Sequence, residues 1–289
     1  MLSMTLPPGF QIGQMRPDDV AVLEGWAATE GWNPGLGDLS LAYGIDPDAF
    51  IALHEGSELV GAGSIFRHND SAGFMGLFIM HPDHRGRGLG TILWKWRRDR
   101  LIARLGPTAS IGMDGVLEMV PFYIKGGFRQ HHRNVRFQGM ATSAPPAGCV
   151  TLSEVDPAQV MAMDLECFGS DRAGFMTSWL TRPGVVAMGL VEDGVLTGFG
   201  VARPCRTGHK IGPLYARSPQ QAERILNDLS GRIAGDQVQI DAPDLNPDAA
   251  AIFAALGWSP VFQCARLYLG AAPLADLGAT YGVASLEFG

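Results

Sequence analysis

Apolar positions recur along the chain at two spacings. Behind Arg16-Pro17-Asp18-Asp19, the residues Val20, Leu23 and Ala27 stand at helical intervals. Pro in the first turn and acids at the positive end of the helix dipole favour a helix start there. Short apolar runs then follow around glycine turns. The stretch from Leu53 to Gly63 reads strand, tight turn, strand. Leu77-Phe78-Ile79-Met80 reads as a strand, and Ile92-Leu93 lies in a helical segment.

The pattern repeats. Leu53-His54-Glu55-Gly56-Ser57-Glu58-Leu59-Val60-Gly61-Ala62-Gly63 lies over the stretch Leu190 to Gly200, 137 residues on, with five of eleven positions identical. Met75 to Met80 lies over Ile211 to Ala216, and a helical segment follows each. Strands ending in Asp114 and Asp241 come next, then helices ending at Gly127-Phe128 and Gly257-Trp258. Each half reads helix, hairpin, strand, helix, strand, helix, strand. One whole domain per repeat indicates duplication, not a solenoid, whose units run about 20–50 residues. The expected fold class is α/β (α+β): two domains, each a mixed, mostly antiparallel twisted sheet flanked by helices. The expected boundaries are 1–138, a linker at 139–149 rich in Pro, Gly, Ser and Ala, and 150–289. The segment from Ala271 to Gly289 reads either as a docked strand or as a poorly ordered end.

Composition narrows the class. The 289 residues are 46% apolar and 18% charged, enough to bury a core. Residues 1–138 hold 13 Lys+Arg and 14 Asp+Glu; the rest holds 9 and 15, so the net charges are −1 and −6. The acidic balance argues against nucleic-acid binding. The absence of a long apolar run argues against a membrane span, and the first eight residues do not read as a signal peptide, so a cytoplasmic protein is expected. Cys149, Cys167, Cys205 and Cys264 form no C-x-x-C pair and read as reduced thiols, with a disulfide or zinc site as the minor reading.

The strongest chemical signal is the turn His81-Pro82-Asp83-His84-Arg85-Gly86-Arg87-Gly88-Leu89-Gly90-Thr91, set between a strand and a helix. Such a turn aims several backbone N–H groups at one anion, and the helix dipole adds to the attraction. The ligand should carry phosphate or pyrophosphate. The pattern is neither G-x-x-x-x-G-K-S/T nor G-x-G-x-x-G. His81 and His84 read as loop residues, and no metal is expected.

This segment resembles the acetyl-CoA loop of the GCN5-related N-acetyltransferase (GNAT) superfamily, Q/R-x-x-G-x-G/A, with Arg85, Gly88 and Gly90 at its fixed positions. Pro121-Phe122-Tyr123-Ile124-Lys125-Gly126-Gly127-Phe128 resembles the family's later F-Y-x-K-x-G-F segment. The second half resembles the C-terminal domain of tandem bacterial members. The resemblance implies acetyl transfer from acetyl-CoA to an amine by direct attack. It also implies that Phe78, Ile79 and Met80 pair with pantetheine, and that Arg85, Gly86, Arg87, Gly88, Leu89, Gly90 and Thr91 hold the pyrophosphate. Phe122 joins the cofactor set. Tyr123 matches the residue that protonates the departing thiolate, a transfer open to a phenol of pKa about 10.

The proton acceptor is open. Asp114, at a strand end, is the first candidate, followed by Glu30 and Glu118; a turn or capping role is the other reading. Trp26, Glu30, Trp32 and Asp38 are candidates for holding a cationic amine. Tyr215, Asp241 and Asn246 are candidates from the second half, against ordinary packing and capping. Arg97, Arg98, Arg100 and Arg104 read as a solvated basic face. In the second half three residues are missing where the first has its loop, and Phe253 stands in the place of Tyr123. One active site per chain is expected, taking a small-molecule amine. A non-catalytic acyl-CoA sensor, a protein N-acetyltransferase and a different acyl donor stay open as alternatives.

Overall fold

The computed structural model describes residues 6–143 and 147–289. The first half runs β1 (Phe10–Gln14), α1 (Pro17–Thr29), α2 (Asp38–Ile45), β2 (Phe50–Glu55), β3 (Glu58–Asn69) and β4 (Ala72–Met80). It continues through α3 (Leu89–Arg104), β5 (Ser110–Val116), α4 (Val120–Lys125) and β6 (Arg129–Met140). The second half runs β7 (Val150–Thr151), α5 (Pro157–Phe168), α6 (Ala173–Thr181), β8 (Val186–Glu192), β9 (Val195–Pro204) and β10 (His209–Ala216). Then come α7 (Pro219–Arg232), β11 (Gln237–Pro243), α8 (Pro247–Ala255), β12 (Ser259–Leu269) and β13 (Thr280–Gly282).

Local chemistry explains the helix starts. The Asp19 carboxylate accepts from the Arg16 backbone N–H at 3.1 Å, and Val20, Leu23 and Ala27 are buried behind it. Asn246 caps α8 by accepting from the Ala249 N–H at 3.2 Å. Its amide also donates to the carbonyls of Gly278 and Thr280, so this residue serves capping and tail docking.

The strand order is β1-β2-β3-β4-β5-β12-β6-β11-β10-β9-β8-β7, with β13 beside β10. The closing strands are exchanged. β12, from the second half, pairs antiparallel with β5 of the first, and β6, from the first half, pairs antiparallel with β11 of the second. The two exchanged strands also pair with each other. A buried cluster holding Phe50 and Phe66 from one half and Phe175, Trp179, Phe199 and Tyr215 from the other lies across the junction. The segment expected to link the halves starts later than its composition suggested, because β6 extends to Met140 to complete its pairing with Gln237. Residues 144–146 of that segment lie outside the described residues.

Both halves place a parallel pair beside a splay. β4 pairs with β5 from Ala72↔Ser110 to Met75↔Met113 and then leaves it. β10 pairs with β11 from His209↔Val238 to Ile211↔Ile240 and then leaves it. In the second half the gap is filled: β13 pairs with Leu214 and Tyr215, and the Val283 N–H donates to the Asp241 carbonyl at 2.8 Å. The C-terminal segment is therefore a docked strand with a tail. Phe288 is fully buried, and the Gly289 carbonyl accepts from Arg172 at 2.5 Å.

Candidate active site

In the first half the splay stays open. A cavity of about 550 Å³ lies there, walled by β4, the glycine turn, β5 and α4. Leu77 takes φ 53, a left-handed conformation rare for a side-chain-bearing residue, where the β3–β4 register slips between Ala62 and Ser64. The slip turns β4 away from β5 and brings Phe78, Ile79 and Met80 to the cavity wall. Below it, Gly88 caps α3 at φ 78. A side chain would be strained in that conformation. The first N–H groups of α3 have no partner within the helix, so the turn presents donors to the cavity.

The turn residues divide by role. Arg85, Gly86, Gly88, Gly90 and Thr91 line the cavity. Arg87 and Leu89 do not: the Arg87 guanidinium sits over the Phe10 ring, 5.6 Å from its centroid, and Leu89 is buried in the core. The Arg85 Nε donates to the Met80 carbonyl at 2.9 Å and its Nη2 to Glu30 at 2.5 Å. This arginine thus ties the turn to both β4 and the end of α1. His84 is bonded to Glu55 at 2.9 Å.

At the far end stand Phe122 and Tyr123 on α4, packed on Trp94 of α3 at ring separations of 5.1 and 6.0 Å. Burial pushes the Tyr123 phenol up to about 12, against the pull of Arg97. It therefore keeps its proton throughout the neutral range. Arg97 was expected in a solvated face, yet it is 1% exposed. It stands on the buried stripe Leu93, Arg97, Leu101, at intervals of four residues. That spacing was the available signal. Its Nη2 donates to the carbonyls of Ser64 and Gly76, while Nε and Nη1 have no partner among the described residues. Burial pushes this guanidinium down to about 9.

The candidate proton acceptors separate. Asp114 lines the cavity, but its oxygens take three bonds: Arg266 at 2.9 and 2.6 Å and Asn134 at 2.9 Å. Burial raises its carboxyl, and Arg266 opposes that rise. The arrangement anchors β12 to β5 and leaves Asp114 poorly disposed to receive a substrate proton. Glu118 is exposed and off the cavity wall, and Glu30 is paired with Arg85.

The amine-binding candidates also separate. Trp32 and Glu30 line the cavity; Trp26 packs on His81 at 5.8 Å instead. Asp38 is buried away from the cavity between Arg203 and Arg182, whose charges outweigh burial and hold its carboxyl low. Tyr215 is buried beside Arg172 and Asp164 at 3.1 and 3.3 Å. Both residues are structural, because no surface of either reaches the cavity. Asp241 is also off the wall. It holds Arg136 at 2.7 and 2.9 Å, and Arg136 donates to the Trp32 carbonyl at 2.8 Å. Asp241 thereby positions a lining residue at second hand. The sequence did not single out Phe262 of β12 or Leu286 and Glu287 of the tail, all of which line the same cavity. The strand exchange brings Phe262 there, and the docked tail brings Leu286 and Glu287.

The second half keeps none of this apparatus. Phe253, in the place of Tyr123, is fully buried and stacked on Trp258 at 5.6 Å, and β13 occupies the gap.

Comparison with known proteins agrees with the geometry. Residues 18–128 match the acetyltransferase (GNAT) family model, and residues 160–282 match a second model described as an acetyltransferase (GNAT) domain. The holothin acyltransferase of Pseudoalteromonas sp. is 28% identical over 275 residues, covering 93% of this chain and 90% of that protein. A Pyrococcus horikoshii structure described as a candidate acetyltransferase superposes with a TM-score of 0.82 at 23% identity, covering 99% of this chain and 98% of that one. A tandem GNAT protein from the clavulanic acid biosynthesis pathway superposes with a TM-score of 0.63 at 18% identity, covering 96% of this chain and 100% of that one. At those identities the two structures speak for the fold alone. Both halves match one family, and the chain is an acyltransferase belonging to the GNAT family.

Proposed function

We propose that this chain moves an acetyl group from acetyl-CoA to the amine of a small molecule, at one site built on residues 1–138 and closed by residues 150–289. The observation that carries the reading is the open splay between β4 and β5, ending on the glycine turn of α3, with Tyr123 among the residues that line it. Backbone groups of Phe78, Ile79 and Met80 would hold the pantetheine arm. The N–H groups of Gly86, Gly88 and Gly90 would hold the pyrophosphate. Bound there, the cosubstrate supplies the thioester. A backbone N–H near Ile79 or Met80 polarises its carbonyl.

Tyr123 donates its phenolic proton to the leaving sulfur. Arg97, a lining residue whose Nε and Nη1 are buried against Gly63, adds a positive charge that offsets the negative charge developing on the sulfur. The enclosing second half and tail favour a small acceptor over a protein chain, which needs an open groove. The relative named holothin acyltransferase, similar over nearly the whole length, supports the same class.

The test is thiol release from acetyl-CoA across a panel of small amines. Amine-dependent, saturable release supports the reading. Tight acetyl-CoA binding with no release under any amine would make the chain a sensor.

A further inference from the structure

Three carboxylates face the cavity: Glu30, Asp114 and Glu287. The first two are committed, to Arg85 and to Arg266 with Asn134. Glu287 is 4% exposed. Its Oε2 accepts from the Ser285 hydroxyl at 2.5 Å, and it makes no ion pair within 4 Å among the described residues. Charged and titratable groups face it through space: Arg136 from β6, Lys210 from β10 and Cys205 after β9. The two cations are already turned onto Asp241, at 2.7 and 3.9 Å.

The tail is fixed at the point where chemistry is expected. The Glu287 carbonyl packs on Gly76 so closely that a Cβ there would come within 2.0 Å of it. Gly76 follows Met75, the last residue of β4 paired with β5. The tail thus meets β4 where the splay begins. Trp32, Phe262 and Leu286 line the same cavity, and Arg136, which faces Glu287, donates to the Trp32 carbonyl and lies over the Phe262 ring at 5.4 Å. Arg136, the cation of this wall, has Nε, Nη1 and Nη2 each bonded to Asp241 or Trp32. Lys210, the other cation facing Glu287, donates to the Trp32 carbonyl at 3.1 Å, so among the described residues both cations facing this carboxylate are already bonded.

We infer that Glu287, carried into the first-half site by the tail, receives the acceptor's ammonium group and takes its proton, and that the acceptor is a hydrophobic primary amine. This rests on the acyl-transfer reading above. One proton leaves the ammonium for Glu287 and then solvent. The freed nitrogen lone pair forms the C–N bond at the thioester carbon, and the C–S bond breaks with its electron pair on sulfur. Sulfur takes a proton from Tyr123. The second nitrogen proton leaves as the amide forms and restores Tyr123, so one proton is released per turnover.

The experiment compares the full chain with its Glu287→Gln and Glu287→Asp variants. Calorimetry with CoA present measures benzylamine, as its ammonium, against benzyl alcohol. The expected result is benzylamine binding weakened at least tenfold in Glu287→Gln and partly restored in Glu287→Asp, with benzyl alcohol and CoA binding unmoved. With acetyl-CoA and the best amine of the panel, Glu287→Gln should lose roughly 100-fold or more in kcat/KM at neutral pH. Its kcat/KM should rise about tenfold per pH unit up to the amine's pKa, because only free amine reacts, while the wild-type profile is flatter. Unchanged benzylamine affinity in a folded Glu287→Gln chain overturns the assignment, as does failure of the wild-type complex to bind the ammonium. Failure of the acyl-transfer reading would show instead as ammonium binding at Glu287 with no thiol release.

Discussion

Replacing Phe288 with Ala tests whether the tail is held as firmly as its contacts imply. The ring is fully buried among Phe50, Phe66 and Phe175, at centroid separations of 6.3, 5.7 and 6.0 Å. Removing a buried Phe side chain costs about 3–5 kcal/mol. Arg203 holds the Ala284 carbonyl at 3.0 Å; past that point the remaining ties are His68 to the Phe288 carbonyl at 2.8 Å and Arg172 to the Gly289 carbonyl at 2.5 Å. Together they supply roughly 2–4 kcal/mol, taking about 1 for the first bond and up to about 3 for the charged donor. The loss matches what is left, so the tail beyond β13 should open locally while the sheets stay folded. Hydrogen exchange at residues 285–289 should accelerate by at least tenfold. The amine KM should rise and acetyl-CoA affinity should stay within about twofold. Undiminished protection at 285–289, with an unchanged amine KM, would refute the claim that Phe288 anchors this wall.

Three further outcomes follow from the same contacts. Tyr123→Phe should lower kcat by roughly 100-fold or more with acetyl-CoA affinity kept, since the general acid is lost. Because burial holds the phenol near 12, the wild-type rate should show no fall from Tyr123 ionisation below that pH; steady-state profiles to pH 10 check both points. Asp241→Asn should cost about 3–5 kcal/mol, read in denaturant melts, because Arg136 and Lys210 would stay buried without their carboxylate; a loss under 1 kcal/mol would contradict it. His68 and His132 are both pushed by burial, and then by Arg172 and Arg266 respectively, to about 3. The unfolded chain takes up protons near pH 6.5 and the native chain does not. Stability should therefore fall as pH drops from about 6.5 toward 3, by about 1.4 kcal/mol per pH unit for each histidine. A flat stability between pH 6 and 4 would contradict the burial of these rings as neutral groups.

Features set by short stretches of chain were legible in the sequence. The α1 start, the two hairpins, the glycine turn and the aromatic pair on α4 each depend on neighbours within a few residues. The repeat made the loss of the second loop visible. The strand exchange was not legible, since the residues of β6 and β12 do not say which neighbour each strand takes, and only pairing with the distant β11 and β5 decides it. The residues that depend on it were missed or misplaced for that reason. Phe262 and Glu287 reach the cavity through the exchange and the tail. Asp38 and Tyr215 have the residue types of a binding site, but Arg182 and Arg203 lie 144 and 165 residues from Asp38, and Arg172 lies 43 residues from Tyr215. Arg97 was hidden by its company: flanked by Arg98 and Arg100 it reads as surface, although its spacing from Leu93 and Leu101 puts it inside.

The central claim is that two halves of one family fold hold one acyl-CoA site, because the second half has lost its turn and its gap is closed by β13. Calorimetric titration of the full chain with acetyl-CoA tests this most directly. The predicted result is one site per chain, greatly weakened by Gly88→Val, which strains the left-handed position at the start of α3. Two sites per chain, or one site indifferent to Gly88→Val, would contradict the account.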